Sequence, residues 1–142
     1  MATLSANEKR VFEFNLDPVL NDIPCVASDI VYEGAAVGLS SGYARPFTDG
    51  DDFCGFAIAK TDNSSGSAGD KYVRVMQKGV VRLTVGGTLA VTDLNALVYA
   101  TDDDTFSKTD SGSDTVIGRI ARFISTTEAM VAFEAEALRL SA

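Results

Sequence analysis

The sequence predicts a mainly β protein, a single β-barrel or sandwich-like domain that carries an extended N-terminal arm. Two observations support this fold class. From residue 69 to residue 135, short runs rich in valine, isoleucine and aromatic residues alternate with turns rich in glycine and aspartate, a spacing typical of sandwiches and barrels. The chain also has 142 residues, 46% of them hydrophobic, which suffices for one domain with its own core.

The first 24 residues are predicted to form the arm, and residues 25–142 the domain. Phe12, Phe14 and Leu16 alternate with polar residues, a period of two that predicts a strand with one apolar face. Pro18 interrupts the pattern, because proline lacks the N–H that a strand ladder requires. A lone strand is not stable. This one therefore either joins the core of its own domain or docks on a partner by strand addition.

The middle of the chain, from residue 25 to residue 60, is predicted to be strand-like with frequent glycine. The two strand-like stretches are Ile30–Leu39 and Phe53–Lys60, and between them lie Tyr43–Phe47 and a turn at Asp49–Asp52. The following segment, Thr61–Gly69, is polar and rich in serine and glycine, which predicts a mobile loop.

The last part of the chain is predicted to be a ladder of strands with glycine and aspartate at the turns, Gly79 among them. The predicted strands are Lys71–Met76, Val80–Val85, Ala96–Ala100, Val116–Ile124 and Glu128–Ala135. The end is ambiguous, because alanine, glutamate and leucine from residue 129 to residue 140 favour helix. Val131 and Phe133 alternate with polar neighbours, so we place the end of the strand near Ala135.

Acidic residues exceed basic ones by 20 to 12, which gives a net charge of −8 at pH 7. This charge repels phosphate backbones, so we expect no direct nucleic-acid partner. No apolar run approaches the ~20 residues of a membrane span, and the first ten residues lack the features of a signal peptide. We therefore expect a protein made in the cytosol with no membrane partner.

The residues that usually carry catalysis are missing from this sequence. There is no histidine, which removes the usual general base and the commonest metal ligand. The aspartates at residues 49–52 and 102–104 are interpreted as solvated turns, because neither run continues as a calcium-binding loop. Cys25 and Cys54 are expected to be buried free thiols. We expect no enzyme activity, no catalytic residue, no metal and no cofactor.

One order of motifs is familiar. It runs through Tyr32–Leu39, Phe53–Ala57, Gly69–Val75, Lys78–Val81 and Val116–Ile120. Taken together, these motifs resemble the small β-type capsid cement (head decoration) proteins of tailed bacteriophages, over about residues 30–135. The first ~25 residues match no pattern of that family, and the helix-prone residues 134–140 depart from its usual ending.

The resemblance implies a structural protein of the virion, assembled in the host cytoplasm. It implies a homotrimer on the outside of an icosahedral head, where the protein bridges neighbouring major capsid protein subunits and clasps the shell against the pressure of packaged DNA. Two alternatives stay open at this point. One is another phage structural part, such as a tail-tube or head–tail joining subunit, and the other is a non-catalytic ligand-binding β module.

Six residues are the candidates for capsid or oligomer contacts. Phe12, Phe14 and Leu16 are expected to be the contacts of the arm. Tyr43, Arg45 and Phe47 are expected to form the second contact, because they place large side chains on a predicted loop beside Pro46. Ordinary core and turn packing is the alternative role for all six residues.

Overall fold

The computed structural model describes residues 4–13 and 19–139. This part of the chain is built from strands and two single-turn 3-10 helices, so the predicted mainly β fold class is confirmed. The strands are β1 Phe12–Glu13, β2 Val19–Pro24, β3 Asp29–Val31, β4 Ala36–Ser40, β5 Tyr43–Pro46, β6 Phe53–Ala57, β7 Thr61–Asn63, β8 Tyr72–Gly86, β9 Leu97–Ala100, β10 Phe106–Ser107, β11 Thr115–Phe123 and β12 Glu128–Glu134. The 3-10 helices are Val91–Asp93 and Glu136–Leu138.

Strand β8 is 15 residues long and is paired along both edges. One edge holds β6 and then β12, and the other holds β2, then β1, then β10. Apolar residues at every second position of β8, such as Val73 and Val81, point into the interior and are buried. This alternation is the period-two pattern that a strand with one wet face requires.

The sequence predicted a break at Gly79, and that prediction is wrong, because β8 runs through it. Gly79 lies directly opposite Phe133 of β12. A Cβ atom built on Gly79 would lie 3.3 Å from the sulfur of Met76 and 3.4 Å from the Phe133 ring. These side chains cover the place where Gly79 has none, so the strand keeps its packing across the glycine.

Two closed rings of strands share β8. The first ring runs β8–β12–β11–β9–β10 and returns to β8, where β10 pairs in parallel through Phe106 and Val85. The second ring runs β8–β6–β4–β5–β2 and returns to β8, with a bridge between Ala44 and Cys25 joining β5 to the end of β2. The sheet is therefore a closed, barrel-like sheet, and a small separate sheet of β3 and β7 lies beside it.

A cluster of phenylalanine rings fills the first ring. Phe53, Phe56 and Phe133 are almost completely buried, and the Phe56 and Phe133 rings meet edge to face with centroids 4.9 Å apart. Phe53 contacts Phe56 in the same geometry at 5.6 Å. Edge-to-face contacts of this kind add to the free energy of burial, so this cluster is the main core of the fold.

A second, smaller core fills the second ring, and both cysteines lie in it. Cys25, Val31, Val37 and Val75 are fully buried there, and Cys54 is nearly so. Both cysteines are free thiols, as expected. Burial raises the pKa of Cys25 and, helped by the nearby charges of two aspartates, raises that of Cys54 to about 12.

Several predicted boundaries change in the structure. Thr61–Asn63 is strand β7 and not loop, because Asn63 is buried and its side-chain amide donates to the carbonyl oxygens of Val26 and Ser67. Tyr43–Pro46 is strand β5 and not a loop, because it pairs with β4. The placing of the last strand is confirmed, since β12 ends at Glu134 and a 3-10 turn follows.

Replacing Gly118 by alanine should destabilise the fold. A Cβ atom at Gly118 would overlap the backbone carbonyl of Ala132 on the paired strand β12, so β11 would have to shift. We expect a loss of at least ~2 kcal/mol in the free energy of unfolding, which is about 3 °C in Tm for each kcal/mol. Gly86→Ala is the matched control, since its nearest neighbours would be at an ordinary 3.6 Å. Equal melting temperatures for the two variants would contradict this packing.

The cysteines provide a second prediction. At pH 8 a thiol with a pKa near 12 is ionised in roughly one molecule in 10,000, and the thiolate is the reactive form. We expect the folded protein to react with iodoacetamide far more slowly than a free cysteine, and both thiols to react promptly in denaturant. Mass spectrometry of the alkylated protein measures this, and rapid labelling of the folded protein would show that the second core is open to solvent.

Candidate interaction surface

Within residues 4–13 and 19–139, no group of three or more cysteine, aspartate or glutamate side chains is placed to hold a metal ion. No helix in the same ranges is long and apolar enough to cross a membrane. The features that point outward are instead a docked N-terminal segment, one strand edge and two shallow clefts.

Residues 4–13, here called the N-terminal segment, lie across the body of the molecule. The amide of Glu8 donates to the Glu33 carbonyl at 2.7 Å, and the amide of Arg82 donates to the Val11 carbonyl at 2.9 Å. Phe12 then pairs with Val81 of β8. The segment passes so close to Gly34 that a Cβ atom there would overlap the Glu8 carbonyl. Gly34 also has a φ of +87°, a conformation that favours glycine.

Arg10 fastens this segment with three kinds of contact. Its Nε donates to the Gly34 carbonyl at 2.8 Å, and its terminal nitrogen pairs with Asp104 at 2.9 Å. The guanidinium lies 5.9 Å from the centre of the Phe56 ring and 5.7 Å from that of Phe106. A planar guanidinium can donate in its plane and contact aromatic rings, which explains why the Arg10 side chain is only 9% exposed.

An apolar cleft of about 290 Å³ separates the N-terminal segment from β2. Phe12 and Leu20 line it from the two sides, and Met76 and Ile58 also contribute. The Phe12 ring reaches inward as well, with its centroid 6.2 Å from that of Phe133. Phe12 thus contacts the main core and also borders an open surface, so its position agrees with either role expected for it.

The outer edge of β2 is open from residue 19 to residue 23, short of the bridge at Cys25 that joins it to β5. Its inner edge pairs with β8 from Val19 to Pro24, whereas on its outer edge residues 19–23 make no backbone hydrogen bond to another described strand. Its first residues are exposed, with Val19 at 37% and Leu20 at 47%. An unpaired edge with apolar side chains beside it is a template for pairing with another chain.

The three contact residues predicted near Pro46 differ in their exposure. Tyr43 and Arg45 point outward from β5, whereas Phe47 is fully buried in the main core. Arg45 makes a two-pronged ion pair with Asp51, with N–O distances of 2.7 and 2.9 Å, and these hydrogen bonds raise the pKa of Arg45. Of these three residues, only Tyr43 and Arg45 therefore have exposed side-chain surface for a direct contact. Phe47 is fully buried, so the direct contact expected of it is not available in this fold.

Two of the residues expected in the arm, Phe14 and Leu16, lie outside the described residues. Sequence reasoning did not single out Arg10, Leu20 or Gly34. Their roles depend on which strand each residue lies against, and no local pattern carries that information. A weak signal existed for Leu20, an apolar residue just beyond the interruption at Pro18.

With this geometry in view, the comparison with known families is decisive. Residues 15–137 match the phage structural cement protein family (E217 gp24/Pam3 gp6). The chain belongs to this family. The match covers 123 of 142 residues, so it includes β2 and nearly all of both rings. No curated protein matches the chain significantly.

Membership gives the protein a structural role in the capsid of a phage virion. It confirms the resemblance read from the motifs, and it favours the cement interpretation over the tail-tube and ligand-binding alternatives. The N-terminal segment of this cement protein, including Phe12 and Arg10, lies before the first matched residue. The contacts that hold this segment are seen in the structure of this chain.

Gly34→Ala should release the N-terminal segment while leaving the body folded. The added methyl group would displace the Glu8 backbone, so we expect faster tryptic cleavage after Lys9 and Arg10. Faster hydrogen exchange at the Arg82 amide should accompany it, because that amide donates to Val11. Gly42→Ala is the control, since Gly42 has a nearly identical φ of +86° but nothing within 4 Å. If both variants are cleaved alike, the segment is not held at Gly34.

Proposed function

We propose that this cement protein binds the outer surface of an icosahedral phage head, bridges neighbouring major capsid protein subunits and stabilises the shell against the pressure of packaged DNA. The observation that carries the proposal is the family match over residues 15–137. The net charge of −8 supports an outer position with no direct contact to nucleic acid, since it keeps decorated particles dispersed.

The free edge of β2 supports binding by strand addition. Its unpaired backbone groups can take an extended segment of a capsid subunit, and backbone hydrogen bonds then supply much of the affinity. Leu20 and the adjoining cleft at Phe12 offer an apolar anchor point beside this edge. In protein interfaces a few buried side chains often supply most of the binding free energy, and Leu20 could have this role beside the open edge.

The arm was expected to comprise residues 1–24, but residues 19–24 form β2 and pair with β8, so we assign the arm to the residues before β2 and the body to the rest. Phe12, Phe14 and Leu16 are the proposed arm contacts. An arm of ~20 extended residues can reach on the order of 60–70 Å, enough to cross to a neighbouring subunit. In the free chain, residues 4–13 are held on the body by the contacts of Glu8, Arg10 and Phe12, so binding to a capsid subunit has to replace these contacts.

We further propose that the protein acts as a homotrimer, with Tyr43 and Arg45 at the trimer or capsid contact. Three identical contacts combine through effective concentration, so interfaces that are individually modest give very slow release from the head. Assembly on the head takes place in the host cytoplasm, without a membrane partner.

Co-sedimentation of the purified protein with expanded, undecorated heads of the source virus tests the function. We expect saturable binding with a stoichiometry that matches local three-fold sites. Absence of binding, together with rings or tubes formed by the protein alone, would assign the chain to a different phage part.

Removing the two arm phenylalanines tests the contact residues. The double variant Phe12→Ala/Phe14→Ala should bind heads about tenfold or more weakly, because truncated anchor side chains commonly cost over 1 kcal/mol each, while the isolated body stays folded. The matched control is Val91→Ala/Leu94→Ala, which truncates two apolar side chains that are 72% and 53% exposed on a different surface. A loss of thermal stability in the free protein that accounts for the whole binding defect would place the phenylalanines in the core.

A further inference from the structure

A second cleft, of about 400 Å³, opens on the outer face of β11 and β12, away from the arm. Its floor contains Val116, Gly118 and Ala132, and Leu97 borders it. The floor is mostly backbone because Gly118 cannot carry a side chain there, as its overlap with the Ala132 carbonyl shows. The result is a groove, here called the β11 groove, with a floor of small and apolar residues.

The rim of the β11 groove is positively charged, in contrast with the rest of the chain. Lys78, Arg119 and Arg139 border it, with Glu134 beside Lys78 and Glu136 paired with Arg139. The three positive and two negative charges give this rim a net charge of +1 in a chain of net −8, and Arg119 is the cation without a carboxylate partner among the described residues. Such a reversal of sign concentrates a local field that attracts acidic groups.

The cations of the rim differ in how far they are already engaged. Arg139 is held by Glu136 and by the carbonyl oxygens of Val116 and Glu134. The Lys78 ammonium is 3.6 Å from Glu134, and its side chain is 52% exposed. Arg119 donates once, to the Asn95 carbonyl at 3.0 Å, and has no carboxylate partner among the described residues. Most of its donors are therefore open to a ligand.

We propose that the β11 groove binds an extended acidic segment of a capsid subunit, with Arg119 as the main recognition residue and Lys78 beside it. This inference rests on the proposed function, since it names the chemistry of a second contact with the same partner. The small floor admits an extended backbone, and the rim pairs with its carboxylates. Arginine suits this role because its guanidinium binds a carboxylate through two parallel hydrogen bonds.

A second copy of this chain fits the groove less well, although it is acidic. Its aspartate-rich turns are engaged within their own loops. Asp102 accepts from the Asp104 amide and the Thr105 hydroxyl, and Asp104 pairs with Arg10. Asp114 accepts from the amide and the hydroxyl of Ser111, and these hydrogen bonds help to lower its pKa. A nucleic acid is disfavoured by the net charge of the whole chain.

The test compares Arg119→Glu with Lys71→Glu in the full-length protein. Both variants move the net charge from −8 to −10, and Lys71 lies outside the groove, where its ammonium donates to the Asp62 carbonyl. We expect Arg119→Glu to weaken head binding at least tenfold and Lys71→Glu to change it less than twofold. Raising the salt concentration from 50 to 300 mM should weaken head binding by the wild-type protein more than head binding by the Arg119→Glu variant. Equal effects of the two substitutions would overturn the proposal.

A second measurement needs no heads and separates the groove from the function as a whole. A capped peptide of alternating glutamate and valine is titrated into the ¹⁵N-labelled protein. We expect shifts at the amides of Gly118, Arg119 and Ala132 that Arg119→Glu abolishes and Lys71→Glu retains. The proposal is overturned if these amides do not shift. It is also overturned if a single-stranded oligonucleotide of equal length shifts them as strongly, or if Arg119→Glu instead abolishes self-association in sedimentation.

If the proposed function is wrong, the binding and titration experiments give a different combination of results. In that case the wild-type protein would not bind heads under any salt condition, while the peptide result would still report on the groove. Circular dichroism and the melting temperature of both variants show whether each is folded, so a loss of binding by an unfolded variant is not counted as support.

Discussion

The fold depends on the pairing of β8 along both of its edges. Five other strands pair with this one strand, three on one side and two on the other, and each ring closes on it. A strand so completely paired cannot slip by one residue without turning Val73, Val81 and their neighbours from the core to the solvent. The register of the whole sheet follows from this constraint. The one glycine in its middle is tolerated because Phe133 covers it.

Much of the fold was predictable because its signals are local. Alternation marked β12, and the mainly β class followed from the spacing of turns. The break predicted at Gly79 was wrong, because the ring that covers it comes from residue 133, more than fifty positions away. The sharing of β8 by two rings also depends on pairings between strands that are far apart in the sequence. No run of residues indicates that β2, β1 and β10 line up along one edge.

The interaction surface was less predictable than the fold, for the same physical reason. Sequence alternation identified Phe12 as half of an apolar face, and the structure places it at the border of a cleft. Phe47 was predicted to be a contact residue because it places a large side chain beside Pro46 on a predicted loop, yet its ring is part of the main core. Arg10 and Arg119 have unremarkable sequence contexts. Their settings arise from Gly34, Phe56 and Asn95, which tertiary contacts bring to them.

The shared strand also decides how such a protein fails. Two cores usually allow two halves to melt separately, but here the loss of β8 opens both rings at once, because it is a wall of each. The two rings use successive parts of this strand, residues 72–78 in the second ring and residues 78–86 in the first. A force that pulls on one ring therefore passes along the backbone of β8 into the other. Each core then helps to resist a load that is applied to its neighbour.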